Sequence, residues 1–320
     1  MRLLFITSTR IGDAILGSGV LDDAIRRHPG IRVTVACGPA PAPLFAAVPG
    51  LERIIPLRKR PAGLHWAGLW AACAGYRWRE VIDLRRSALG WMLLAGRRRI
   101  PAAVAGPVHK VEQLARGLGM DRPPEPVLWT SPADRAAAAA LLDGAGPVLA
   151  LAPAANWPGK QWPADRFAEL IGRLTGAGGA LPGARLAIMG GPEERQAILP
   201  AIAALPGDRL LDLVGRASLP VLGAVLRDCA LFVGNDSGLM HLAAAAGTPT
   251  LGLFGPSRDQ VYGPRGVRTA VIRTPESYEE LVGRPGYDHR TTGTLMGGLT
   301  VAAVHDAARD LLARCGTRAA

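Results

Sequence analysis

Short apolar runs alternate with longer amphipathic stretches along nearly all of the 320 residues. The runs 2–7, 31–36, 53–57, 81–84 and 102–105 read as buried strands, each brief, continuous and followed by a polar residue or glycine. Helical spacing predicts helices over 14–27, 41–47, 66–76, 87–95 and 110–118 between and after them. In 14–27, Ile15, Leu16, Val20, Leu21, Ala24 and Ile25 share one stripe, and Asp22, Asp23, Arg26 and Arg27 lie off it. Three prolines within 121–126 then interrupt the pattern, since proline resists both helix interiors and central strands. A helix over 133–142 follows. A second alternation sets strands at 147–151, 184–189, 209–213, 230–233 and 250–254 against helices at 164–175, 193–204, 219–227 and 237–246. An amphipathic tail helix covers 300–314, and 274–294 reads as an irregular connection. Strand and helix alternating in this way predict parallel sheets covered on both faces, in two domains placed at 1–143 and 144–320.

Candidate chemistry concentrates where strands hand over to helices. The stretch 232–256 runs from strand through a sharp turn into helix and strand again, with Asp236 at the expected N-cap and Gly247 as the stop. A helix start at the carboxyl end of a parallel strand favours an anion such as a diphosphate. Ser237 and His241 share a helix face there, although a capped helix by itself needs only Asp236 and Gly247. Two further turns have the same form. Lys160 lies in the loop 152–163, which also carries Trp157 and Trp162, and Gly190-Gly191 is followed by Glu193 and Glu194, either a ribose contact or an ordinary capped turn. Near the N-terminus, Ser8-Thr9-Arg10-Ile11-Gly12-Asp13 leaves the first strand, and from position alone Asp13 reads first as a helix cap.

The formal charge of +11 is carried almost wholly by arginine, with Lys59, Lys110 and Lys160 the only lysines. It fits phosphorylated substrates, an anionic lipid surface or nucleic acid, and equally a compositional bias in an Ala-, Gly- and Pro-rich chain. Arg85, Arg86 and 97–99 flank the 87–95 helix and form the densest cluster. No aromatic-interleaved basic stripe marks a nucleic-acid groove. Cys37, Cys73, Cys229 and Cys315 form no C-x-x-C pair, so neither a disulfide framework nor a zinc site is expected. There is no H-E-x-x-H and no Asp-x-Asp pair, and the G-x-G at 17–19 lies inside a helix, which argues against a metal site and NAD binding. No run reaches the roughly 18 uncharged residues of a spanning helix, and the expected location is cytoplasmic.

The string Asn-Asp-Ser-Gly-Leu-Met-His at 235–241, followed by an Ala-rich turn and Thr-Pro…Phe-Gly-Pro-Ser257, closely resembles the donor-site signature of the lipopolysaccharide heptosyltransferases, glycosyltransferase family 9. The loop with Lys160-Gln-Trp-Pro163 is similar to the family's second donor motif, and Gly12-Asp13 to its N-terminal loop. The resemblance implies an α/β protein of GT-B fold, two Rossmann-like domains facing a central cleft, with acceptor on the first and sugar nucleotide on the second. It implies inverting transfer of heptose from ADP-heptose to the inner core of lipopolysaccharide, without cofactor or metal, by a monomer at the inner face of the membrane. Asp13 would be the catalytic base. Lys160, Glu193, Glu194, Asp236, Ser237, Gly238 and His241 would bind the donor, and Arg10, Arg85 and Arg86 the acceptor. The alternatives are a GT-B sugar-nucleotide epimerase and a non-enzymatic basic nucleotide- or nucleic-acid-binding protein.

Overall fold

The computed structural model describes residues 1–316 apart from Ala145 and Ala204. The end of the expected 193–204 helix and the last four positions of the expected second domain therefore lie outside the described residues. Contacts divide the chain into two units, Met1–Ser131 and Pro132–Ala320.

The first unit runs β1 (Arg2–Ile6), α1 (Ile11–Arg27), β2 (Arg32–Cys37), β3 (Leu51–Pro56), α2 (Leu64–Cys73), β4 (Trp78–Asp83), α3 (Leu89–Met92), β5 (Ala95–Arg99) and α4 (Lys110–Gly117). Its five strands are parallel in the order β3-β2-β1-β4-β5. Leu3, Leu4, Phe5 and Ile6 of β1 are sealed on both faces, which is why the central strand is an unbroken apolar run. The last strand is Ala95–Arg99 and not the expected 102–105, which has no regular structure. An edge position explains its sequence, because arginines at the border of a sheet reach solvent and deter pairing with another chain. The expected helix at 41–47 is a single 3-10 turn, Ala42–Phe45, and the one at 87–95 shrinks to the four residues of α3.

The second unit opens with α5 (Pro132–Leu141), then β6 (Val148–Ala152), α6 (Ala164–Thr175), β7 (Arg185–Ile188), α7 (Arg195–Ala203), β8 (Leu210–Asp212), α8 (Leu219–Arg227), β9 (Leu231–Asn235), α9 (Gly238–Ala245), β10 (Thr250–Phe254), α10 (Asp259–Tyr262), β11 (Thr269–Arg273), α11 (Tyr278–Val282) and α12 (Val301–Cys315). Its six parallel strands lie in the order β11-β10-β9-β6-β7-β8. Counting α5 in this unit shifts the boundary from 143 to Ser131. The helix packs on α8, and Arg185 of β7 donates to the carbonyls of Leu142, Asp143 and Gly144 just beyond its end. The stretch 274–294 is more ordered than its composition suggests. Ser277 and Glu280 cap α11 reciprocally, and Thr294 Oγ1 donates to Gln161 O.

Both sheets share one topological property. The chain starts in the middle, winds to one edge, and returns to the other side of its first strand, so the winding reverses between β1 and β4 and again between β6 and β9. At such a reversal the two loops leaving the carboxyl ends diverge and open a crevice, the usual ligand position in an open parallel sheet.

Candidate functional site

In the second unit the crevice lies between the loop after β6, which carries Lys160, and the turn after β9, which carries Asp236. Lys160 Nζ is 2.5 Å from Asp236 Oδ2, with the side chains 18% and 8% exposed. Asn235, fully buried, locks the two loops together: its Nδ2 donates to Pro153 O at 2.7 Å and its Oδ1 accepts from Trp162 N at 3.1 Å. Gly234 just before it lies in tight quarters, because a Cβ there would sit 2.8 Å from the Phe232 ring and 3.0 Å from Ala152 O of the neighbouring strand. Trp162 is core and not ligand, buried edge-on against Phe167 with its Nε1 donating to Leu299 O.

The expected capping role of Asp236 is not found. Ser237 is the N-cap of α9, neither side chain caps the helix, and the Asp236 carboxylate turns instead to Lys160. Gly238 is the first residue of the helix, so its amide is among the unpaired N–H groups at that end. Buried hydroxyls line the same edge. Ser237 Oγ, and Ser257 Oγ after the adjacent strand β10, are shielded from solvent and have no protein hydrogen-bond partner. Buried polar atoms without partners are uncommon, and at the mouth of a sheet crevice they invite a ligand oxygen. Ser257 belongs to the quoted motif but was not among the expected binding residues, and its orphaned hydroxyl is visible only in three dimensions. His241, one turn into α9, is 4% exposed.

The turn after β7 separates its two acids. Glu194 is half-buried and accepts from Gly191 N at 2.7 Å, bracing the turn; burial, opposed by that bond and reinforced by Glu193, raises its carboxyl above the ordinary range. Glu193 is exposed.

In the first unit the reversal brings together the loops after β1 and β4. Helix α1 begins at Ile11, so Asp13 is inside its first turn and not its cap. Ser8 Oγ approaches Asp13 Oδ2 at 3.4 Å and accepts from Arg10 N at 3.1 Å, while Arg10 itself is exposed. Gly38 permits this loop to lie where it does, since a Cβ there would fall 2.5 Å from Thr9 Cα. Beyond β4, the fully buried Asp83 organises its own turn by accepting from Arg85 N, Ser87 N and Ser87 Oγ. Burial is the leading effect on its carboxyl and raises it against those bonds. Arg85 stacks on the Trp66 ring, 5.3 Å from its centroid, and Arg86 is exposed in the left-handed region at φ 57°. The three remaining arginines of the cluster divide. Arg98 holds the carbonyls of Gly90, Leu93 and Ala95, Arg99 is buried against Asp23, and Arg97 faces the sealed Glu80 at 3.9 Å. Among the described residues no group of three or more His, Cys, Asp and Glu is placed to hold a metal ion, and no helix is long and apolar enough to cross a membrane.

Two parallel sheets of this winding are the architecture of the GT-B fold, which the chain shares with solved heptosyltransferases. The profile of glycosyltransferase family 9 (heptosyltransferase) matches residues 71–284, and the chain belongs to that family. It is 30% identical over 304 residues to lipopolysaccharide heptosyltransferase 1 of Pseudomonas aeruginosa, covering 83% of this chain and 82% of that protein. It is 29% identical over 168 residues to lipopolysaccharide heptosyltransferase 2 of Salmonella typhimurium, covering 49% of this chain; here and with other heptosyltransferases 2 the chain spans about half or less of the relative's length. Among solved structures it resembles the ADP-heptose lipopolysaccharide heptosyltransferase II of E. coli, with TM-score 0.77, 19% identity and coverage of 98% and 99% of the two chains.

Proposed function

We propose that the protein transfers a heptose from ADP-heptose to the inner core of lipopolysaccharide, with inversion at the anomeric carbon, at the cytoplasmic face of the membrane. The observation that carries this reading is the second unit's crevice: a lysine held by Asp236, the free amides at the start of α9, and the orphaned hydroxyls of Ser237 and Ser257 on one sheet edge. Those groups are what a leaving diphosphate needs, a positive charge and hydrogen-bond donors already in place. Glu193 accepts from the ribose hydroxyls. Asp13 takes the proton of the acceptor hydroxyl as its oxygen bonds to the anomeric carbon and the bond to the diphosphate breaks, releasing ADP. Arg10, Arg85 and Arg86 hold anionic groups of the acceptor.

Thermal shift with nucleoside diphosphates, followed by ADP release in the presence of deacylated core acceptor, tests the proposal. A ligand at about a hundred times its dissociation constant adds about 2.7 kcal/mol of stability. ADP and ADP-heptose are expected to raise the melting temperature and UDP is not. Acceptor-dependent ADP release separates transfer from epimerisation, which needs no acceptor. Stabilisation by UDP-sugars alone overturns the donor.

A further inference from the structure

The first unit carries an apolar surface that borders Arg85 and Arg86, and its apolar side chains have no part in the proposed transfer chemistry. Helix α2 is apolar over most of its circumference, yet only Leu69 and Cys73 of its ten residues are buried. Beside it α3 and the two residues after it split their side chains: Leu89 and Leu93 are buried in the core, while Trp91, Met92 and Leu94 are 68%, 64% and 63% exposed. Trp70 of α2 and Met92 line a groove of 470 Å³ between the two helices together with Trp66, Ala67 and Arg85, and Leu64, Trp91 and Leu94 are exposed on the same two segments. Contiguous exposed apolar surface of this kind marks an interaction site.

The display is built and not accidental. Arg98 donates to Gly90 O, Leu93 O and Ala95 O, fixing the backbone on either side of the exposed residues, and Asp83 fixes the turn that leads into α3. A charged side chain spent on three carbonyls holds Trp91, Met92 and Leu94 outward.

Charge identifies the occupant. From 53 to 79 and from 84 to 111, the stretches that contain α2 and α3, the sequence has no Asp or Glu and twelve Lys or Arg. Arg58, Lys59, Arg60 and Arg86 are exposed. Tryptophan favours the boundary between headgroups and acyl chains, and basic residues beside it are drawn to anionic headgroups. We propose that this face docks on a bilayer of anionic phospholipid, with Trp91, Met92 and Leu94 entering the interface and the basic rim resting on the headgroups. The protein lies on the membrane and does not cross it. This docking is independent of which sugar is transferred.

Flotation of the full chain with phosphatidylcholine vesicles, with and without phosphatidylglycerol, tests it. The wild type is expected to float with phosphatidylglycerol vesicles only, and progressively less as salt rises. W91S/L94S should lose at least about tenfold in partition, because two large apolar side chains no longer enter the interface. K59S/R60S should lose roughly fivefold per charge and flatten the salt dependence. Melting temperature and ADP affinity of W91S/L94S should match the wild type, which keeps a docking defect distinct from misfolding or a failed nucleotide site. Absence of wild-type binding, equal binding to neutral vesicles, or undiminished binding by W91S/L94S overturns the proposal. So does a wild-type dimer in light scattering that W91S/L94S dissolves, since the face then covers a second copy.

Discussion

At the reversal of the second sheet, the loops after β6 and β9 are cross-linked by side chains: Lys160 reaches Asp236, and Asn235 holds both Pro153 O and Trp162 N. At the reversal of the first sheet, the loops after β1 and β4 are each tied to themselves. Ser8 serves Arg10 and Asp13 within one, and Asp83 serves Arg85 and Ser87 within the other. The same topology thus yields one crevice held at fixed width and another whose walls are individually stiff but not joined by side-chain hydrogen bonds among the described residues. Preorganised charge stabilises a leaving group best when nothing has to move, which suits the diphosphate proposed for the second crevice. Independent walls suit an acceptor that is large and has to be admitted.

The largest expected effect breaks the comparison on the acceptor side. Asp13→Asn keeps size and shape but removes the proton acceptor, so turnover in the ADP-release assay should fall about a hundred- to ten-thousandfold while ADP affinity and melting temperature persist. Near wild-type turnover would leave Asp13 as a first-turn helix residue and no more. Next comes Lys160→Ala on the donor side. Calorimetric ADP affinity should drop at least about tenfold, the cost of a charge-assisted contact. Stability should drop as well, because Asp236 is left buried without its partner. A stable variant with unchanged ADP affinity would make the pair a solvated surface bridge.

The smallest effect tests whether Asp83 alone organises the β4 turn. Its carboxyl is raised above the ordinary 3.8, chiefly by burial, so the folded protein holds that proton more tightly than the unfolded chain. The resulting stability is fully present below 3.8 and is lost as pH rises through the raised value. Melting curves across that window should show this decline in the wild type and a flatter profile in Asp83→Asn. Identical profiles would assign the pH response elsewhere.

The strands and helices were legible wherever burial was two-sided, because a sealed strand such as β1 leaves no room for polar residues. Legibility failed at the edge strands β5 and β11, whereas the edge strands β3 and β8 fall on the expected runs 53–57 and 209–213. Strand β5 reads Ala-Gly-Arg-Arg-Arg, and an edge strand satisfies its arginines in solvent and against Glu80 and Asp23, so hydrophobicity points past it to 102–105. The site was legible as positions but not as partnerships. Lys160, Asp236 and Ser237 all fall on the β6–β9 crevice, yet the capping role expected for Asp236 is a local rule overridden by a partner 76 residues away. In sequence Asn235 is only one position of the sharp turn before α9, and nothing in its neighbourhood announces two bonds to the loop after β6. The membership of α5 in the second unit likewise rests on Arg185 and α8, both remote in sequence.

The two bonds of Asn235 leave no room for a change of polarity at that position. Its amide nitrogen faces a carbonyl oxygen and its amide oxygen faces an N–H, so the two ends of one small group are read with opposite polarity. Deamidation would change almost nothing in shape, but it would place a carboxylate oxygen against Pro153 O where a donor had been. Both would then be acceptors facing each other in a buried position. An isosteric chemical lesion at this one position would part the two loops that form the proposed diphosphate site, and the burial that makes the amide indispensable also shields it from the solvent that would hydrolyse it.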